Sequence, residues 1–240
     1  MLKLDILVLS VHPDDAELGC AGTLLKHIAA GKKAGIIDLT RGELGTRGTA
    51  EIRKQEAKES AKILGLSIRE NLKLPDGFFQ NTKEYQLKVI HAIRQYQPEI
   101  IITNAYHDRH PDHGRANELV EGSAFLSGLR KIETFFDGNL QEAWRPKQVL
   151  HFIQDDYIRP DILIDITEFW DKKIESIQAF SSQFYNPAWL DEPQTYISSP
   201  EFIQVIEARA REFGKSIHVK YAEGFTSTKI LGIDNLFNLL

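Results

Sequence analysis

The sequence has one cysteine, Cys20, among 240 residues. No intramolecular disulfide can form, which fits a reducing compartment, and a cysteine-rich structural metal site is ruled out. Long apolar runs are also missing: Ile6-Leu7-Val8-Leu9 and Ile100-Ile101-Ile102 are far too short to span a bilayer. There is no basic excess, since Lys plus Arg is 29 against 34 for Asp plus Glu, a net charge of −5. That balance argues against a general nucleic-acid binder, which needs a basic face. It leaves an anionic small substrate to be held by a local arginine cluster. Internal repeats, low-complexity linkers and a signal-peptide shape are absent from the sequence. A soluble cytoplasmic protein with no nucleic-acid or membrane partner is the expectation. What is present, 42% hydrophobic and 26% charged residues, offsets chain entropy and can build one sizeable core.

Residues 4–11 form a continuous apolar run bounded by a polar loop, the pattern of a buried parallel strand. Residues 22–30 read as helix closed by Gly31, and 34–39 as the next strand. A glycine-rich loop, 40–48, follows. Thr49 reads as the N-cap of a helix to Leu64, with Gly65 as its stop. Residues 71–74 suggest a short strand ended by the turn Pro75-Asp76-Gly77. Leu87, Ile90 and Ile93 share a helix ended by Pro98, and 99–104 is a second strong strand run. Strands are expected at 149–153 and 162–166, a helix at 168–180, and a long loop at 181–196. A helix begins at Ser199-Pro200-Glu201, with proline in its first turn, and stops at Gly214 before a last strand at 219–225. Alternating strand and helix predicts a single α/β domain over 1–240, its mostly parallel sheet flanked by helices.

The sharpest signal is His12-Pro13-Asp14-Asp15, directly after the first strand. Open α/β sheets bind ligands at the carboxyl ends of their strands. The second signal is His107-Asp108-Arg109-His110-Pro111-Asp112-His113, directly after the strand at 99–104. Three of the eight histidines fall in that window. If both strands are neighbours at the sheet's switch point, the two loops meet. A catalytic zinc takes three protein ligands of N or O character and keeps one position open. One histidine and one aspartate from the first loop, plus one histidine from the second, supply that set, and His12, Asp15 and His113 are the obvious choice. Asp14 then stands beside the metal without binding it. A carboxylate there can take a proton from water, whose pKa the metal lowers toward ~7. Pro111 at the first helical position puts His110 at the cap and His113 in the first turn. Asp112 is close enough to orient a histidine. A lone His-Pro-Asp is more often a turn, and Asp14-Asp15 alone would be ordinary helix-start acids. The two together, each after a strong strand, resist that bland explanation.

His12-Pro13-Asp14-Asp15-Ala16-Glu17-Leu18-Gly19 and His110-Pro111-Asp112-His113 resemble the LmbE-like, PIG-L superfamily of zinc-dependent N-acetylglucosamine deacetylases. Asp38-Leu39-Thr40-Arg41-Gly42-Glu43, Gly48-Thr49 with Arg53 and Glu56-Ala57, and Tyr221-Ala222-Glu223-Gly224-Phe225 look like its bacillithiol-biosynthesis branch, which deacetylates N-acetylglucosaminyl malate. The resemblance implies a Rossmann-like domain with one zinc per chain on His12, Asp15 and His113. It implies Asp14 as general base, and His110, with Asp112 as partner, assisting the tetrahedral intermediate and leaving amine. Arg53 and Arg109 match positions that face the polar substrate; by residue type alone they would be solvated surface charges. Relatives are often trimers or hexamers, so a homo-oligomer is expected. They also use a loop aromatic to polarise the carbonyl, for which Tyr185 and Tyr196 are candidates; Phe202 lies where relatives can carry a tyrosine.

Rival readings are weaker. A phosphoesterase with the same His/Asp set would need a second metal, with few spare ligands beyond Asp14, Asp112 and Asp108. A nucleotide-binding module would follow its first strand with G-x-G-x-x-G, where this chain has His12-Pro13-Asp14-Asp15. A non-catalytic sugar binder would bind ligand without turnover. Cys20 reads as a small buried hydrophobe. His27, His91 and His151 have no partner pattern, and His218 suits a surface role. Phe135, Phe136, Trp144 and Trp170 read as core or subunit contacts.

Overall fold

A computed structural model describes residues 2–189 and 191–239. Its elements run β1 (Ile6–Ser10), α1 (Asp15–Ala29), β2 (Ala34–Thr40), α2 (Ala50–Leu64), β3 (Ile68–Leu74), α3 (Lys83–Tyr96), β4 (Ile100–Asn104) and α4 (Pro111–Leu126). A small hairpin follows, β5 (Phe135–Phe136) and β6 (Asn139–Leu140), then β7 (Gln148–Phe152), β8 (Ile162–Asp165), α5 (Trp170–Gln178), α6 (Phe202–Ser216) and β9 (Ala222–Thr226). The main sheet has the order β3-β2-β1-β4-β7-β9-β8. Its strands from β3 to β7 are parallel, and β9 runs antiparallel between β7 and β8. The expected single α/β domain with a mostly parallel sheet is the fold observed.

Both faces of the sheet are covered, which is why β1 and β4 read as unbroken apolar runs rather than as alternation. Leu7, Leu9, Ile37 and Ile101 pack on one side with Val89, Ile93, Leu119 and Val120 of α3 and α4. Ile6, Val8, Ile36 and Ile102 pack on the other with Cys20 and Leu24 of α1 and with Phe152 and Phe225. From β1 the chain steps outward to β2 and β3, then returns to place β4 on the other side of β1. That reversal is a switch point, and the loops after β1 and β4 open side by side there.

Some elements differ from the sequence reading. Helix α1 begins at Asp15 rather than at 22. Gly19 and Gly22 mask it: a Cβ would come within 2.3 Å of Phe152 at the first and 2.8 Å of Ile166 at the second, so they are packing glycines inside a helix. Helix α6 starts at Phe202, after Pro200, and continues through Gly214 to Ser216. A Cβ at Gly214 would lie 2.7 Å from the Val219 carbonyl oxygen, so this glycine also marks a close approach and not a stop. The β5–β6 hairpin turns on Asp137 and Gly138, both at positive φ (49° and 78°). Asp-Gly is the usual residue pair for that turn.

The described residues of the long 181–196 segment are strapped down at Ser181, Ser182, Trp189 and Gln194. Buried Arg47 donates from Nε to the Ser182 carbonyl, from Nη1 to Gln194 Oε1 and from Nη2 to the Trp189 carbonyl. Glu56 accepts from the Ser181 hydroxyl and from both N–H and hydroxyl of Ser182.

A buried ion pair joins β9 to the helices. Lys173 Nζ lies 2.6 Å from Glu223 Oε1 and also donates to the Leu18 carbonyl at 2.7 Å. Glu223 further accepts the N–H groups of Gly22 and Thr23. Removing one partner of such a pair strands a buried charge. Glu223→Ala is expected to cost about 3–5 kcal/mol in a urea titration; a loss under 1 kcal/mol, about the value of an exposed pair, would show that Lys173 finds another partner.

Candidate active site

The two loops identified in the sequence meet at the switch point. His12, Asp14 and Asp15 come from the end of β1 and the start of α1, and His110 and His113 from the start of α4; all five line a cleft of about 460 Å³. One nitrogen from each of His12, His110 and His113 lies within 4.8 Å of the others. Asp15 sits between two of these rings, Oδ2 at 3.5 Å from His12 Nδ1 and Oδ1 at 3.4 Å from His113 Nε2.

The far nitrogens of those two histidines are held by carboxylates. His12 Nε2 contacts Asp76 Oδ1 at 3.0 Å, and His113 Nδ1 contacts Asp108 Oδ2 at 2.8 Å. This is the carboxylate–histidine arrangement that orients a metal-binding imidazole. Asp15 is itself fixed by the His12 N–H, Asn104 Nδ2 and Gln154 Nε2. His110 differs. It is the N-cap of α4, and its Nδ1 accepts the Asp112 N–H at 3.2 Å, with Pro111 in the first turn.

The donor set therefore suits a divalent ion. Two imidazoles present their free nitrogens toward one clamped carboxylate, and the surroundings are rich in acids. Their pull shows in the titration behaviour. Burial disfavours the charged form of His12, yet hydrogen bonds to Asp15 and Asp76 carry its pKa up to about 9. Burial likewise opposes the charge on His113, and Asp15 and Asp108 lift it to about 10. Asp15 is held well below the usual carboxylate range by the two histidines, against the effect of its own burial. Burial of His110, with His12 and His113 nearby, lowers its pKa.

Asp14 is buried with φ 132°, a conformation side chains rarely adopt. Burial raises its pKa to about 7, although the Arg53 guanidinium works against that. Arg53 lines the cleft and is itself buried; its Nη2 lies 3.0 Å from Asp14 Oδ2. Arg109 also lines the cleft, with its side chain 54% exposed and its Nε on Asp155 Oδ2 at 2.8 Å. The Asp112 carboxylate accepts from Gly77 N–H and from Arg115, and lies 3.8 Å from His12 Nε2. Among the described residues no hydrogen bond joins that carboxylate to His110; only the Asp112 backbone does so.

Asp76 and Gln154 are site residues the sequence reading does not pick out. Asp76 stands after β3 in Pro75-Asp76-Gly77, which reads in sequence only as a turn, although the strand-end rule applies there too. Gln154 follows β7 with no motif around it. Tyr196 and Phe202 line the cleft, with rings 5.1 Å apart; Tyr185 and His218 do not line it.

Residues 7–124 match the family model described as PIG-L, GlcNAc-PI de-N-acetylase. The chain is 36% identical to the conserved protein TT1542 of Thermus thermophilus, whose crystal structure it matches with a TM-score of 0.84 over 96% of this chain and 98% of that one. It is 28% identical over 232 residues to the diacetylchitobiose deacetylase of Thermococcus kodakarensis, across 91% of this chain and 81% of that protein. It is 26% identical over 196 residues to a probable N-acetyl-alpha-D-glucosaminyl L-malate deacetylase 2 of Bacillus anthracis, across 75% of this chain and 81% of that protein. The chain belongs to the PIG-L/LmbE-like deacetylase family. It is an amide hydrolase of the deacetylase kind. No helix of the described residues is long and apolar enough to cross a membrane.

Proposed function

We propose that this deacetylase uses zinc and acts on N-acetylglucosaminyl malate, releasing acetate and glucosaminyl malate as in bacillithiol biosynthesis. The observation that carries the zinc reading is the convergence of His12 Nδ1 and His113 Nε2 on Asp15, each ring held from behind by a carboxylate. His12, Asp15 and His113 would hold the ion, which when bound supplies a Lewis acid for the acetyl carbonyl and lowers the pKa of water.

The chain's own groups do the rest. Asp14 takes the proton of the attacking water. His110, whose Nδ1 accepts the helix-cap N–H and whose pKa is lowered by burial, is a neutral imidazole that keeps its Nε2–H for the developing oxyanion, and the proton that Asp14 takes from the water passes on to the leaving amine. The amide C–N bond breaks, the carbonyl carbon keeps the water oxygen, and the amine leaves protonated. The malate reading is supported by the Bacillus anthracis relative and by Arg109 at the cleft, since guanidinium groups bind carboxylates in bidentate fashion. A second reading, a diacetylchitobiose-type substrate, is favoured by the longer match to the Thermococcus protein.

The test is to incubate zinc-loaded protein with N-acetylglucosaminyl malate, diacetylchitobiose and free N-acetylglucosamine, and to quantify released amine. The malate conjugate is expected to have the highest kcat/KM. A higher value for diacetylchitobiose would replace the substrate while keeping the chemistry. His110→Ala is expected to lower kcat more than it raises KM, because its help comes mainly in the transition state. Asp112→Asn should act in the same direction but more weakly, since its carboxylate reaches His12 and Gly77 rather than His110. A pure KM effect in His110→Ala would recast that residue as a substrate-binding group.

A further inference from the structure

Arg53 makes contacts that a substrate-facing arginine would not need. One nitrogen, Nη2, donates to both the Pro13 carbonyl at 2.7 Å and the Asp14 carboxylate at 3.0 Å. Nη1 donates to the Gly42 carbonyl at 3.3 Å. Peptide and side chain of the same strained residue are thus tied to one rigid group. Asp14 has φ 132° and makes no side-chain bond to the helix it caps. Backbone in such a region persists only where its surroundings over-determine it. Among the described residues, Arg53 is the only side chain that hydrogen-bonds the Asp14 carboxylate.

The glycine-rich loop is shaped around this guanidinium. Gly42 has φ 64°, and a Cβ there would lie 2.0 Å from Arg53 Nη1 and 2.5 Å from Cζ. The side chain passes beneath the loop from α2 and is only 5% exposed. Among the described residues its Nε is buried without a partner, and a substrate carboxylate seeking the two outer nitrogens would have to compete with Asp14 and two backbone carbonyls. Arg109 and Arg209 line the same cleft with less burial, Arg109 with its side chain 54% exposed and only its Nε engaged by Asp155.

We propose that Arg53 is a positioning residue: it holds Asp14 in its strained backbone and aims its carboxylate, and it does not grip the acidic part of the substrate. The inference rests on the reading of Asp14 as the base. It predicts a loss that is blind to substrate charge, because the damage passes through Asp14.

Turnover by the wild-type enzyme is measured first, on N-acetylglucosaminyl malate and on free N-acetylglucosamine; inactivity on both would count against the proposed function itself. Arg53→Lys is then expected to lower kcat about ten- to hundredfold on both substrates, the usual weight of a buried charge-assisted bond. KM and zinc content should stay near wild type. Guanidinium ion in solution should restore part of the activity of Arg53→Ala. In an Asp14→Asn background, Arg53→Lys should cost little more, because the two residues act as a unit. Gly42→Ala, which crowds the guanidinium without removing it, should lower kcat in the same charge-blind way. A crystal structure of Arg53→Lys should show the Asp14 carboxylate displaced, a readout that needs no turnover. A loss confined to the malate conjugate, a loss in KM alone, full additivity with Asp14→Asn, or an unmoved Asp14 would each overturn the proposal.

Discussion

Asp14→Asn is expected to keep its metal and to lose at least about 10²–10⁴ in kcat, the size of a positioned acid–base contribution. Asparagine is isosteric with aspartate and puts no new bulk against the backbone, so the conformation at φ 132° should survive. Its amide oxygen can still accept from Arg53 Nη2, so the clamp should survive too. What is lost is the ability to accept a proton. In the wild type, burial brings the Asp14 pKa to about 7, with Arg53 limiting the rise. A base near the operating pH combines a usable ionised fraction with enough basicity to take the proton. The measurement pairs kcat with metal analysis of the same preparation. Near-normal turnover with metal in place would move the base elsewhere, and His110 would be the next candidate. Asp14→Ala is the poorer experiment, because alanine also brings strain at this φ and a drop in stability would blur the result.

The sequence exposes the parts of this molecule that are governed by local rules. The buried strands are legible because both sheet faces are covered, and the Thr49 cap and Gly65 stop of α2 are legible because capping is local chemistry. The two histidine loops are legible because each follows a strong strand. The missing parts depend on tertiary approach. Gly19, Gly22 and Gly214 look like breaks and are contacts. Arg53 and Asp14 lie 39 positions apart, and no spacing rule joins them. Asp112 reads in sequence as the partner of a histidine, and the fold turns its carboxylate to Gly77 and Arg115. Asp76, from a third strand end, takes the place behind His12. Residue types announce a site, and only the packing of three loops shows which acid serves which histidine.

His12→Ala, Asp15→Ala and His113→Ala are each expected to lose the bound metal, because a three-ligand site has no redundancy. The structure sharpens this test, since the three histidines also form a group within 4.8 Å. Two ligand sets are therefore separable. If His12, Asp15 and His113 bind the ion, His110→Ala keeps full occupancy. If the histidines alone bind it, Asp15→Ala keeps the metal and His110→Ala loses it. Full zinc occupancy in any one variant removes that residue from the set. The carboxylates behind the rings give a graded control: Asp76→Asn and Asp108→Asn should weaken metal affinity about ten- to hundredfold without abolishing it. The pH dependence follows from the same contacts. Metal-free His12 and His113 have pKa values raised to about 9 and about 10, so both hold protons at neutral pH. A metal must displace those protons, so its apparent affinity should rise with pH by up to about tenfold per unit for each proton released, and level off above the two pKa values. Chelator competition between about pH 7 and pH 8 measures the slope, which Asp76→Asn and Asp108→Asn should flatten by weakening the hold on those protons. A pH-independent affinity would mean that the histidines are already neutral in the metal-free protein, and that their acidic neighbours orient them without charging them.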